Sequence, residues 1–252
     1  MDYNKKTLIK ILSVIFILLF VISCKIDFKN GKINISEEEY AYKRIIKLKN
    51  EGDYETFTAN IDFGGVKLEK GNIFDLKIKI YEKIENDVKV SLENGKLVGI
   101  SKADNKFEIG NIAGTIPAKT SLEIDSGTGN VTIKEFNNKF IEVDTGAGNV
   151  TISDCKCRKE LDIDTGAGNI SIDKVNSDVI ELDSGAGNIS MTEVNAFEIE
   201  CNTGVGNISV FNSQAPRVEF YTGIGNISTV DCVFKEKEFS TGLGKIRNSD
   251  KN

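Results

Sequence analysis

The stretch that decides the fold reads DSGTGNVTI at 125–133, DTGAGNVTI at 144–152, DTGAGNISI at 164–172 and DSGAGNISM at 183–191. It continues as NTGVGNISV at 202–210, YTGIGNIST at 221–229 and STGLGKIRN at 240–248. The first glycines (Gly127, Gly146, Gly166, Gly185, Gly204, Gly223, Gly242) follow one another every 19 residues, with a single spacing of 20. A fixed period of this size marks a solenoid, in which each repeat buries its apolar face only against its neighbours.

Aligned on the glycines, the repeats separate into columns. Leu122, Ile141, Leu161, Ile180, Ile199 and Val218 form one apolar column, which Lys237 breaks. Ile124, Val143, Ile163, Leu182, Cys201, Phe220 and Phe239 form the next, and Val131, Val150, Ile170, Ile189, Ile208, Ile227 and Ile246 a third beyond the turn. They alternate with polar residues, the period-2 pattern of strands with one buried face. A further side begins at Phe136, Cys155, Val175, Val194, Ser213 and Cys232. Each repeat thus reads as strand, tight turn, strand, variable corner and return. The expected fold is all-β: a single-stranded parallel β-helix of about 19 residues per rung.

The turn glycines mark positive φ or close approach of stacked backbones. The column Asn130, Asn149, Asn169, Asn188, Asn207 and Asn226 predicts side-chain amides bonded from rung to rung. Upstream the pattern is weaker. Gly110-Asn111-Ile112 lies 19 residues before Gly129-Asn130-Val131, and 63–68 and 71–73 resemble further rungs. Three segments follow: 1–24 as a signal segment, 25–54 as a tether or N-terminal cap with room for a short helix in 37–50, and 55–248 as the β-helix. The regular repeats occupy 120–248.

Within 1–24, Lys5, Lys6 and Lys10 precede an apolar run from Ile11 to Ile22 that meets Ser23 and Cys24. The run is short for a bilayer span but suits the apolar region of a signal peptide. Val21-Ile22-Ser23-Cys24 resembles a bacterial lipobox, which makes Cys24 the lipidated first residue of the mature chain. The alternative is an uncleaved N-terminal anchor. Both place the remainder outside the cytoplasm, held to a membrane.

Composition narrows the chemistry. The 252 residues include no His and no Trp, which removes Ser-His-Asp and Cys-His catalysis and His-ligated zinc. Net charge is −6; without residues 1–24, 29 basic residues face 37 acidic ones. Nucleic acid is excluded as a partner, because phosphate binding needs clustered positive charge. Gly-x-Gly recurs, but no helix pattern follows it and no phosphate-loop lysine is present, so it is not read as a nucleotide site. The repeated Asn-x-Ser/Thr matches a glycosylation sequon but arises from three adjacent columns. Cys155, Cys201 and Cys232 fall in apolar columns as buried thiols, and Cys157 lies near Cys155, where a pair or metal site is a weaker alternative.

One outward column is acidic throughout: Glu123, Glu142, Asp162, Glu181, Glu200, Glu219 and Glu238. Beside it stand Asp125, Asp144, Asp164 and Asp183. Like charges ~5 Å apart repel by about 0.8 kcal/mol even in water. The stripe is either a solvated face that blocks lateral aggregation or a multivalent site for Ca²⁺ or a cationic partner.

IPAKTSLEIDSGTGNVTI at 116–133, with the TGAGN repeats that follow it, resembles the putative-adhesin β-helix family, which includes the head-GIN and toast-rack proteins. The resemblance covers roughly 55–248. It implies a parallel β-helix, usually right-handed, on a protein exported to or anchored at the cell envelope. It carries over no catalytic residue, and some relatives accompany envelope-stress systems that respond to cationic antimicrobial peptides. The reading is a non-enzymatic cell-envelope lipoprotein presenting a β-solenoid for adhesion or envelope structure. The alternative is an envelope-stress or cationic-peptide-binding module acting through the acidic face. A carbohydrate lyase would need a local, non-repeating cluster of acids and bases, and the repeats lack one. No cofactor, metal or catalytic residue is assigned. The partners are a membrane, through the N-terminal lipid, and an unknown surface or cationic partner. Metabolic labelling with a fatty acid should mark the wild type and not Cys24→Ala; a labelled Cys24→Ala chain would refute lipidation there.

Overall fold

The computed structural model describes residues 24–29, 32–37 and 42–250, in two units, Met1–Ala41 and Tyr42–Asn252. The signal segment expected over 1–24 lies outside the described residues except for Cys24. In the first unit, β1 (Cys24–Lys29) and β2 (Lys32–Glu37) pair antiparallel, with Cys24 opposite Glu37.

The second unit is all-β. Its seven regular rungs span 121–134, 137–153, 156–173, 176–192, 195–211, 214–230 and 233–249, numbered 1 to 7 below. In each, a long strand, a glycine turn and a four-residue strand succeed one another. The long strands stack parallel in a ten-stranded sheet and the short ones in an eleven-stranded sheet. Register is that of the sequence columns: Leu122 pairs with Ile141, Ile141 with Leu161, Leu161 with Ile180 and Ile180 with Ile199. The inward columns are almost fully buried; Ile246 in the last rung is 45% exposed. Lys237, which breaks the first column, pairs with Asp250 at 3.1 Å.

Why glycine recurs is visible in the stacking. A β-carbon on the second glycine of a turn would lie 1.8 Å from the carbonyl oxygen of its counterpart below, as for Gly187 over Gly168. At the first glycine the gap is 2.6 Å, as for Gly204 over Gly185. Close approach, rather than handedness of φ, is therefore the rule. The asparagine ladder is present. The Asn149 backbone N–H donates to Asn130 Oδ1 at 2.9 Å, and its amide donates to the same oxygen at 3.3 Å. The same pairing recurs through Asn226. From rung 3 onward the hydroxyls of Thr165, Ser184, Thr203, Thr222 and Thr241 donate to the second-glycine carbonyl of the previous rung.

The corner holds a column that the sequence hid. Glu135, Asp154, Lys174, Glu193, Asn212 and Asp231 all have φ between 48° and 65°. Each donates its N–H to the next rung, as Lys174 does to the Thr192 carbonyl at 3.0 Å. Cys155 and Cys232 follow this corner directly, and Cys155 accepts the Phe136 N–H at 3.4 Å. Cys155, Cys157, Cys201 and Cys232 are all free and buried, so Cys155 and Cys157 do not form a pair.

Upstream of rung 1 the strands are β3 (Tyr42–Asn50), β4 (Thr56–Ile61), β5 (Val66–Gly71), β6 (Phe74–Glu82), β7 (Val88–Glu93), β8 (Lys96–Ser101) and β9 (Phe107–Pro117). β4 and β5 form a true rung, with Phe57 under Leu122 and Val66 under Val131. The remaining strands close that end. β6 pairs antiparallel with β3 and β9, and β7 with β8.

Three expectations change here. Residues 42–50 are a strand, not a helix, because Arg44, Ile46 and Leu48 alternate toward the sheet. Gly110-Asn111-Ile112 does not stack on the turn 19 residues later, since Ile112 pairs with Val66 and Val66 with Val131. The 71–73 segment is the turn into β6 rather than a rung.

In this cap Glu82, 1% exposed, accepts from Arg44 Nε at 2.7 Å and from the N–H groups of Asn86 and Val88. Those bonds hold its carboxyl below the usual carboxylate range, the Arg44 guanidinium first among them.

Gly187→Ala should cost about 3 kcal/mol, near the top of the overpacking range, because backbone rather than side chain must yield. That predicts a melting temperature about 6–12 °C lower for a domain of this size. Gly204→Ala should cost less, and thermal unfolding showing the reverse order would contradict the stacking account.

Candidate functional site

The outward acidic column lies on the ten-stranded sheet between the two innermost apolar columns. β-strand alternation turns every second side chain to solvent. Parallel register then aligns Glu123, Glu142, Asp162, Glu181, Glu200, Glu219 and Glu238 rung on rung, about 4.8 Å apart. Asp125, Asp144, Asp164 and Asp183 align two residues along, followed by Asn202, Tyr221 and Ser240. Two stripe members have local partners. Thr58 Oγ1 donates to Glu123 Oε2 at 2.9 Å, and Asn202 Nδ2 to Glu200 Oε1 at 2.9 Å. No ion pair among the described residues neutralises any of the seven.

A third column, which sequence columns alone did not reveal, runs Phe140, Glu160, Val179, Glu198, Arg217 and Glu236. Arg217 forms an ion pair with Glu198. The one 20-residue repeat carries its extra residue just before Glu160, which precedes Leu161 as Phe140 precedes Ile141. The register shifts between Asn138 and Phe140 on one strand, opposite Cys157 and Glu160 on the next, so the extra residue bulges at Arg158–Lys159. Bulges re-aim side chains in this way. Carboxylate oxygens of Glu160, Asp162 and Glu181 lie within 4.8 Å of one another, the described group most able to share one divalent cation. The 20-residue spacing was the signal for this irregularity, but nothing in it said where the extra residue would go.

A family model, Toastrack DUF4097, matches residues 67–195, just over half of the chain. The chain belongs to the Toastrack DUF4097 family. The match runs from β5 through β9 and rungs 1 to 4.

A crystal structure of a putative adhesin from Bacteroides fragilis is similar to this Toastrack chain. It shows 19% identity and a TM-score of 0.55 over 81% of this chain and 97% of that one. A putative adhesin from Parabacteroides distasonis shows 15% identity and a TM-score of 0.46, over 82% and 97%. No curated protein matches. At these identities the likeness concerns the fold.

The stripe of this Toastrack domain is electrostatically strained. Partial burial, then the charges of Glu181, Glu160, Glu142 and Asp183, push Asp162 up to about 6. Asp164 and Glu181 are raised for the same two reasons. A carboxyl raised in the folded state destabilises it when ionised. Stability is therefore gained as pH falls through about 6 toward the unfolded value. Glu82 acts oppositely: its contribution is present above the unfolded carboxylate value and lost as pH falls through its lowered folded one. The melting temperature should rise from pH 7.5 to about 5 and fall at lower pH. Asp162→Asn should melt higher than wild type at pH 7.5 and flatten the rise. A wild type that melts highest at pH 7.5 would refute the strain.

Proposed function

We propose that the chain is a non-enzymatic, extracytoplasmic lipoprotein. It is held to a membrane through lipid on Cys24 and presents its solenoid for adhesion or envelope structure. One observation carries this reading: the same outward carboxylate recurs on seven successive rungs in a straight line. Repetition of one group suits multivalent contact with an extended partner, because each further contact is made at high effective concentration. Catalysis would instead need dissimilar groups converging at one point. The described thiols make poor nucleophiles, since burial pushes Cys155 up to about 11 and Cys157 up to about 12. The adhesin names of the similar structures support the same reading.

The unpaired stripe favours a second, narrower reading as a module for cationic peptides. Attraction along such a row is screened by salt and lost when the charges are removed. Titration of a lysine-rich peptide, and separately of Ca²⁺, should show binding that weakens as ionic strength rises. The combined variant Glu142→Gln, Asp162→Asn, Glu181→Gln and Glu200→Gln should bind the peptide about tenfold more weakly, or worse, at an unchanged or higher melting temperature. Equal binding by the variant would leave the stripe a solubility device.

A further inference from the structure

The return side of the solenoid carries a second surface, away from the acidic stripe. Its outward positions form two columns. One runs Lys156, Asn176, Asn195 and Gln214 on rungs 3 to 6, in parallel register. The other holds Arg158, Asp178, Phe197 and Pro216 two residues along each strand, roughly 7 Å away. One shallow groove runs along both columns, a second lies between Arg158 and residues 53–56, and Arg158 lines both.

Three observations set this surface apart. The turn asparagines spend their amides on the ladder, whereas the side chains of Asn176, Asn195 and Gln214 make no hydrogen bond among the described residues. Phe197 is 68% exposed. A lone exposed Phe would mean little, but this ring stands among unbonded amides at the rung spacing. Finally, Lys139, Lys156 and Arg158 line the grooves, with Lys159 next in the chain, and none of the four forms an ion pair among the described residues. On a chain of net charge −6 that is a local inversion of sign.

We propose that this return face binds a linear acidic polysaccharide laid along the solenoid axis, with Phe197 as its stacking platform. The rung spacing of about 4.8 Å is close to the advance of one pyranose in an extended glycan. The carbon–hydrogen face of a sugar ring packs on an aromatic face while its hydroxyls bond to planar amides, which both donate and accept. Uronate carboxylates complete the match, because the Arg158 guanidinium presents a fork that suits them. The bulge at Arg158–Lys159 sits at the Arg158 end of this face.

Affinity electrophoresis of the full chain through gels containing polygalacturonate, dextran or inorganic polyphosphate tests the assignment. Polygalacturonate should retard the wild type, and the two controls should do so far less. Phe197→Ala and Arg158→Gln should each weaken retardation about tenfold without lowering the melting temperature. The four-site variant of the acidic stripe should be retarded at least as much as wild type, which separates this face from that reading. No retardation by polygalacturonate, or equal retardation of Phe197→Ala, would overturn the proposal. Equal retardation by polyphosphate would reduce the surface to a cation patch, and equal retardation by dextran would remove the acidic requirement; either also overturns it.

Discussion

Each turn of this solenoid presses its backbone onto the one before, with a carbonyl oxygen where a β-carbon would otherwise sit. At Gly206, Gly225 and Gly244 the clearance a β-carbon would have is 1.7–1.8 Å, which no side chain tolerates. Everything else in the regular rungs follows from that contact. It fixes the turn at one height, and so fixes which asparagine amide meets which. The Asn ladder and the Ser/Thr hydroxyl bonds are then satisfied by the same two turns. Because the side-chain period of a strand is two, a register slip of one residue would turn every buried Ile to solvent. The glycine contact and the apolar columns thus demand the same register, and such agreement between levels is what makes a sequence specify one structure.

The same register has an electrical cost. A lattice that must place Ile on Ile must also place carboxylate on carboxylate if successive repeats carry Glu or Asp outward. Burial comes first in raising the Asp162 carboxyl, and the like charges of Glu181, Glu160, Glu142 and Asp183 add this cost to it. At rung 3 the Glu160 carboxylate lies beside the row, within 4.8 Å of those of Asp162 and Glu181, while at the cap end Thr58 donates to Glu123. Elsewhere on the molecule charge is handled differently. The buried Glu82 carboxylate is surrounded by donors, and Arg44 holds it from a neighbouring strand. That pair shapes the cap, where parallel stacking ends and antiparallel strands shield the first rung.

The regular rungs were legible because seven copies of one phrase average out the noise that makes a single strand ambiguous. Buried columns, Asn ladder and stripe could all be read by aligning glycines. The rung formed by β4 and β5 was legible too, through Gly64-Gly65-Val66, although Asp62 replaces the first glycine there. Its position in the stack was not legible. Spacing along the chain reveals which segments resemble each other, but the cap strands leave the solenoid and return, so nearest in sequence ceases to mean nearest in space. The positive-φ corner was hidden for another reason. Glu, Asp, Lys and Asn all occupy it, and only Asp and Asn advertise the left-handed region. The N–H bonds to the next rung hold Glu135, Lys174 and Glu193 there at a local conformational cost.

Stacking constrains inward and turn positions severely and leaves outward ones nearly free. A solenoid of this kind can therefore carry opposite chemistries on different sides of one rung. Rung 3 does so within five residues: Arg158 lines both grooves, while Asp162 belongs to the acidic row with Glu160 beside it. The single inserted residue makes this possible, because it changes the local direction of the strand without disturbing the Leu161 and Ile163 columns on either side. Where the outward residues repeat, as in the stripe, one charge runs along seven rungs. On the return face amides repeat in one column, Asn176, Asn195 and Gln214, while the neighbouring column changes from Arg158 to Asp178, Phe197 and Pro216, so a partner that follows the axis meets a different side chain there at every step.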